Sequence, residues 1–199
     1  NTAIIFDEVQ LYPKARAAIK YLVKDGRYDY IETGSLVSIN RNVKDIVIPS
    51  EEYRMNMYPM DFEEFLWANG IGEAVIDSVK SCFENEKAVP DGIHKAMMEL
   101  LYRYVIVGGL PEVVNCFLET KNIELIYKKQ RNLIAGYEED MVKYAEDADK
   151  PNIRECFDSI PKQLAKENKK FQYSVVKKGG RSAQYIGSIQ WLEDAGIIR

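Results

Sequence analysis

The apolar and polar positions of this chain outline strands around one helix up to about Pro59 and mostly helices beyond it. Ala3-Ile4-Ile5-Phe6 is an unbroken apolar run without polar alternation. It suits a short strand covered on both faces, as in parallel α/β sheets. Pro13 stands where a helix can start, with Ala15, Ala18, Ile19, Leu22 and Val23 as its apolar stripe and Gly26 as its end. A second short strand is predicted at Tyr30-Ile31-Glu32-Thr33, closed by Gly34-Ser35. Strand, helix and strand within about thirty residues form a parallel crossover unit. A third strand is expected from Tyr53 to Tyr58, where Tyr53, Met55 and Met57 alternate with polar neighbours.

Beyond Pro59 the spacing is helical. Asp61 and Glu64 have the spacing of a capping box before "FEEFLWANG", which Gly70 ends. Ile71 to Glu84, Ile93 to Val107, Pro111 to Glu119 and Asn122 to Ala145 also read as helices. "DADKP", residues 147–151, is the clearest linker signal. After it come a helix to about Asn168, a short helical stretch near Tyr173 to Lys178, a Gly179-Gly180 turn and a helix from Ser182 to Ala195. "GIIR" at the end reads as the start of a strand. Helix, turn, helix and strand outline a winged helix. In its third helix Ile186, Ile189 and Leu192 are expected to be buried, with Arg181, Gln184 and Ser188 exposed. The divisions expected are 1–60, 61–146 and 147–199.

Composition narrows the classes. A hydrophobic content of 46% allows a packed core. The net charge of −4 does not mark a nucleic-acid binder overall, although a local basic face remains open. Cys82, Cys116 and Cys156 fit no metal spacing and read as thiols of a reducing cytoplasm. No apolar run approaches the length that spans a bilayer. His94 is the only histidine, which excludes a His-based triad or a multi-His metal site in these residues. Glu138-Glu139-Asp140 reads as a solvated helix face.

The chemistry concentrates where the first strand ends, at Asp7-Glu8. In P-loop ATPases a hydrophobic strand ends in an Asp that holds the magnesium shell, commonly followed by a Glu that orients or activates the attacking water. Such sites work by positioning and electrostatics, so the acids need a rigid strand. "AIIFDE" has that Walker B form. The next strand of such ATPases ends in a polar residue that senses the γ-phosphate, and "YIETGS" brings Thr33 and Ser35 there, about 25 residues after Asp7.

The strings "IIFDEVQLYP", "YIETGSLVSI", "MYPMDFEEFL" and "YVIVGGLPEVV" occur in this order along the chain. Together they resemble a bacterial and archaeal group of AAA-type P-loop ATPases. In that group the ATPase domain is followed by a winged helix and a nuclease-like C-terminal domain of unknown function. The resemblance implies an α/β fold: part of a P-loop NTPase sheet, a helical ATPase subdomain and a winged-helix-like module. It implies ATP and Mg as ligands of the whole protein, with Asp7 holding Mg through water, Glu8 catalytic, and Thr33 or Ser35 as sensor. Gly108, Gly109 and Pro111 match the group's Gly-Gly-x-Pro element, which by analogy lies near the adenine. Arg41 and Arg54 are arginine-finger candidates, although "RNVKDIVIPSEEYR" departs from the group's usual form.

No Gly-x-x-x-x-Gly-Lys-Ser/Thr occurs in the 199 residues, so the amides and the lysine that cradle phosphates are missing from them. The chain is therefore expected to be an interior fragment that starts at Walker B, inactive alone and with no nucleotide bound. Its exposed strands at residues 3–6 and 30–33 are expected to promote self-association. The competing reading is a DNA-binding or interaction module with remnant ATPase elements. In it Arg181, Gln184, Tyr185 and Ser188 meet DNA, helped by the basic stretches "KENKK" and "VVKKGGR".

Overall fold

The computed structural model describes residues 2–34, 53, 55–145, 147–167 and 170–198. Ser35, Arg41 and Arg54 lie outside the described residues. The fold is mixed α/β and mostly helical, with a small parallel sheet of two strands among the described residues. Two compact units divide the chain: Met55–Gly136 forms one, and Asn1–Arg54 with Tyr137–Arg199 the other.

Strands β1 (Ala3–Phe6) and β2 (Asp29–Glu32) pair in parallel, with Ala3 opposite Asp29 and Phe6 opposite Glu32. Helix α1 (Pro13–Asp25) makes the crossover after one 3-10 turn at Val9–Leu11. Pro13 opens α1, where its missing N–H leaves no bond unmade. Gly26 closes it in the left-handed conformation, its amide donating to the Val23 carbonyl at 3.1 Å.

The expected apolar stripe of α1 holds in part: Ile19 is buried, and Ala15 and Leu22 are half-buried. Arg16 is buried as well, whereas Ala18 and Val23 are exposed. The sheet also differs from the two-sided burial expected of Ala3 to Phe6. Ile4 and Phe6 are half-buried, while Ile5 and its register partner Ile31 are 63% and 49% exposed. The expected third strand is absent from the described residues between Tyr53 and Tyr58. Met55 and Met57 are strongly exposed, so no apolar face is buried there to reward an extended conformation.

The unit Met55–Gly136 contains α2 (Phe62–Ala68), α3 (Glu73–Glu84), α4 (Asp91–Val107), α5 (Pro111–Thr120) and the first part of α6 (Ile123–Tyr144). The capping box is formed: Asp61 accepts from the Glu64 amide and Glu64 from the Asp61 amide, both at 2.9 Å. Phe65, one turn into α2, is fully buried with Val113, Val114, Phe117 and Ile126. Each of these side chains contributes roughly 1.5–3 kcal/mol by leaving water, so this cluster outweighs any surface ion pair of the unit. Phe65 also meets the rings of Tyr104 and Phe117, at 5.3 and 5.9 Å between centroids.

The C-terminal residues form α7 (Lys150–Leu164), α8 (Tyr173–Val176) and α9 (Ser182–Asp194). Met141, Ile153, Cys156, Tyr185 and Leu192 make their core. The buried Gln163 side chain clamps the link into α8: its amide donates to the Gln172 carbonyl at 2.9 Å, and its oxygen accepts from the Gln172 amide at 3.1 Å. "GIIR" forms no strand among the described residues. The Ile197 and Ile198 amides donate instead to the Leu192 carbonyl, at 3.0 and 3.4 Å, which closes the end of α9.

The inward face of α9 also differs from expectation. Tyr185, Ser188 and Leu192 are buried, Ile189 is half-buried, and Ile186 is 62% exposed. The aromatic side chain decides the rotation, because Tyr185 removes more apolar area than Ile186 and also finds a polar partner. Its hydroxyl donates to Glu155 at 2.6 Å, and Lys177 donates to the other carboxylate oxygen at 2.9 Å. These bonds, Tyr185 first and Lys177 second, hold the Glu155 carboxyl below its usual range. The same carboxylate pushes the Tyr185 phenol up to about 12.

A group with a raised folded pKa stabilises fully below its unfolded value and loses that contribution as pH rises to the folded one. For Tyr185 the window runs from about pH 10 to about pH 12. Glu155 acts at the other end, its contribution falling away as pH drops through its lowered folded value. Urea midpoints measured against pH should therefore decline across the alkaline window in the unaltered chain. Tyr185→Phe should lower the midpoint at neutral pH and flatten that alkaline decline. An equally steep decline in the variant would refute the assignment.

Candidate functional site

Parallel strands end on the same side of a sheet, and the register carries the consequence. With Phe6 opposite Glu32, the next residues, Asp7 and Thr33, emerge side by side. The Thr33 hydroxyl donates to Asp7 Oδ1 and accepts from the Glu8 amide at 3.3 Å. The backbone continues the pairing: the Thr33 amide donates to the Phe6 carbonyl at 2.9 Å, and the Val9 amide to the Thr33 carbonyl at 3.0 Å. Asp7, Glu8 and Thr33 are all exposed at the carboxyl ends of their strands, where open α/β sheets bind ligands.

Glu8 adopts the left-handed conformation, with φ 52° and ψ 45°. For a residue with a Cβ this costs roughly 1–2 kcal/mol. The bonds made by the Glu8 and Val9 amides to Thr33 contribute about 0.5–1.5 kcal/mol each, enough to offset it. The strain therefore persists because Thr33 anchors both sides of the turn.

Sequence reading passed over Arg16 and Glu32. Arg16 comes from α1, is buried, and lies 3.5 Å from the Glu32 carboxylate, in the residue just before Thr33. A cation on the same helix face as Ile19, with an acid closing the next strand, was the available signal.

The Gly-Gly-x-Pro element has a packing explanation. Gly108 ends α4 at φ 75°, and Pro111 opens α5. A Cβ on Gly109 would lie 2.0 Å from the Met60 carbonyl oxygen, so only glycine admits this approach. The Met60 amide donates to the Gly109 carbonyl at 2.7 Å, and the Tyr104 hydroxyl to the Met60 carbonyl at 2.8 Å.

Of the four residues proposed for DNA contact, Arg181 and Gln184 are exposed. Tyr185 and Ser188 are buried and face the core instead, a correction that follows from the rotation of α9. His94 lies exposed on α4. Glu138 pairs with Arg154 at 3.0 Å. The three cysteines are free thiols, and burial pushes the Cys156 thiol up to about 11. Among the described residues no group of three His, Cys, Asp or Glu side chains is gathered to hold a metal, and no helix is long and apolar enough to cross a membrane.

The strain at Glu8 separates stability from function. Glu8→Gly should raise the stability of the chain, or leave it unchanged, by up to about 1 kcal/mol, because glycine adopts this conformation without steric cost. Chemical denaturation followed by circular dichroism would measure it. A loss of more than about 1 kcal/mol would mean that the Glu8 side chain is a structural support.

Residues 1–66 match the family model described as an AAA domain. Residues 98–199 match the one described as a domain of unknown function, DUF8612. No curated protein and no solved structure matches the chain. The first match holds β1, β2 and the Asp7–Thr33 pair, and the second holds α5 to α9. With just over half of its length inside the second match, the chain belongs to the DUF8612 family and is an AAA-type ATPase-related protein through its first 66 residues.

Proposed function

We propose that the chain carries the hydrolytic acids of an ATP-driven switch. The observation that carries this reading is the hydrogen bond between Thr33 and Asp7 at the shared carboxyl end of two parallel strands. Asp7 would hold Mg through water, Glu8 would orient the attacking water, and Thr33 or Ser35 would sense the γ-phosphate. Asp7 fits its role: it is exposed, and Thr33 fixes its carboxylate through Oδ1. Bound Mg would neutralise phosphate charge. Arg41 or Arg54 is the candidate arginine finger, and Gly108, Gly109 and Pro111 border the nucleotide by analogy alone.

In this reading residues 1–60 are ATPase core, 61–146 its helical subdomain, and 147–199 a module of winged-helix type that relays the nucleotide state. The phosphate cradle has to come from sequence outside these 199 residues, which contain no Gly-x-x-x-x-Gly-Lys-Ser/Thr. The alternative, DNA contact by the C-terminal module, rests on Arg181 and Gln184 once Tyr185 and Ser188 are turned inward.

Phosphate release measured on the 199 residues alone should stay at background. In a longer chain that supplies the phosphate loop, Glu8→Gln should lower turnover by about 10²–10⁴-fold while ATP stays bound. Loss of nucleotide binding in that variant, with hydrolysis per bound ATP unchanged, would remove Glu8 from its role.

The outward Ile5–Ile31 pair and the strand edges beside it support self-association through residues 3–6 and 30–33. Light scattering should show a mass above the monomer that Ile5→Lys with Ile31→Lys reduces. An unchanged mass in the double variant would exclude the strands as the contact.

A further inference from the structure

Helix α9 has a second face that its own core does not use. Ala183, Ile186, Gly187 and Gln190 are all exposed and fall at the spacing of one helical stripe. Ile186 is its apolar centre, 62% exposed, with small residues on either side.

The charges around this stripe run against the helix. A macrodipole favours acids in the first turn and cations in the last. In α9 the first turn holds no acid and the last holds no cation. Lys178 and Arg181 precede its N-terminus instead, and Glu193 and Asp194 close its C-terminus. Gln190 donates to both of those carboxylates, at 3.4 and 3.1 Å, which holds them at the end of the stripe.

This arrangement is poor for DNA. A helix laid in a groove presents cations and amides to phosphates and base edges. Between Arg181 and Glu193 the stripe has one amide, Gln190, already engaged with carboxylates that would repel phosphate.

The same arrangement suits a second copy of itself lying antiparallel. We propose that α9 pairs with α9 of a second chain about a two-fold axis between Ile186 and Gly187. Ile186 then covers the partner's Gly187, and Ala183 lies opposite the partner's Gln190. Gly187 and Ala183 lack the bulk that would keep the helices apart. Lys178 and Arg181 meet the partner's Glu193 and Asp194, so the charges unfavourable within one helix become complementary across two, and the dipoles oppose. A two-fold contact of this kind is self-complementary by construction. The stripe is short, so the pair belongs with small, transient interfaces.

Sedimentation of the 199-residue chain tests this, in the Ile5→Lys/Ile31→Lys background so that strand pairing does not contribute. A concentration-dependent dimer is expected that weakens as salt screens the charges. Ile186→Glu should raise its dissociation constant by roughly tenfold or more. Arg181→Glu and Glu193→Arg should each weaken the dimer, and the two together should restore it. Ile186 is exposed, so circular dichroism should show each variant folded. A chain that stays monomeric at about 1 mM overturns the proposal. So does a dimer indifferent to Ile186→Glu, or a double charge reversal that restores nothing. If the dimer is absent and a DNA duplex is bound in a way that Arg181→Glu abolishes, the face belongs to nucleic acid.

Discussion

Everything proposed for the N-terminal residues depends on one constraint: two parallel strands held in a single register must deliver their carboxyl ends to one place. β1 contributes four residues and β2 four, too few to be stable in isolation. Two further contacts hold them. The crossover helix α1 sends the buried Arg16 to Glu32 at the end of β2, and Thr33 ties the turn after β1 through its backbone and its hydroxyl. A slip of one residue would turn Thr33 away from Asp7 and expose the half-buried Ile4 and Phe6. Register and candidate chemistry are one fact here.

The unit Met55–Gly136 is held differently. Its stability comes from apolar burial around Phe65, and its polar contacts serve mainly to place helices. The Asp61–Glu64 capping box sets where α2 begins, and the Gly109–Met60 approach brings the start of α5 against the residue just before that cap. Tyr104 adds a third contact at the same spot, packing its ring on Phe65 and donating to the Met60 carbonyl. The Gly-Gly-x-Pro element thus has a packing role whatever its relation to a nucleotide.

In α7 to α9 a polar contact decides the packing. Tyr185 brings the larger apolar area to the core, and Glu155 accepts its hydroxyl there while Lys177 balances that carboxylate. Burying the phenol turns Ile186 outward and gives α9 two faces of different character: one aromatic and closed, one small, apolar and open.

Local signals were readable from the sequence alone because their causes lie within a few residues. Asp61 with Glu64, Gly26 after α1, Pro111 at the start of α5 and the strand, helix, strand order all depend on backbone geometry near at hand. That Asp7 and Thr33 stand at the ends of two parallel strands was legible too, whereas their hydrogen bond came from the register of the sheet. Tertiary structure alone decided which side of a helix turns inward. Periodicity narrows that choice to neighbouring stripes, and a partner distant in sequence settles it: Glu32 drew Arg16 inward, and Glu155 drew Tyr185. Among the described residues, the strands expected at Tyr53 to Tyr58 and at "GIIR" are absent for a related reason. Alternating or apolar residues permit an extended conformation, but a strand exists only where another chain segment accepts its hydrogen bonds.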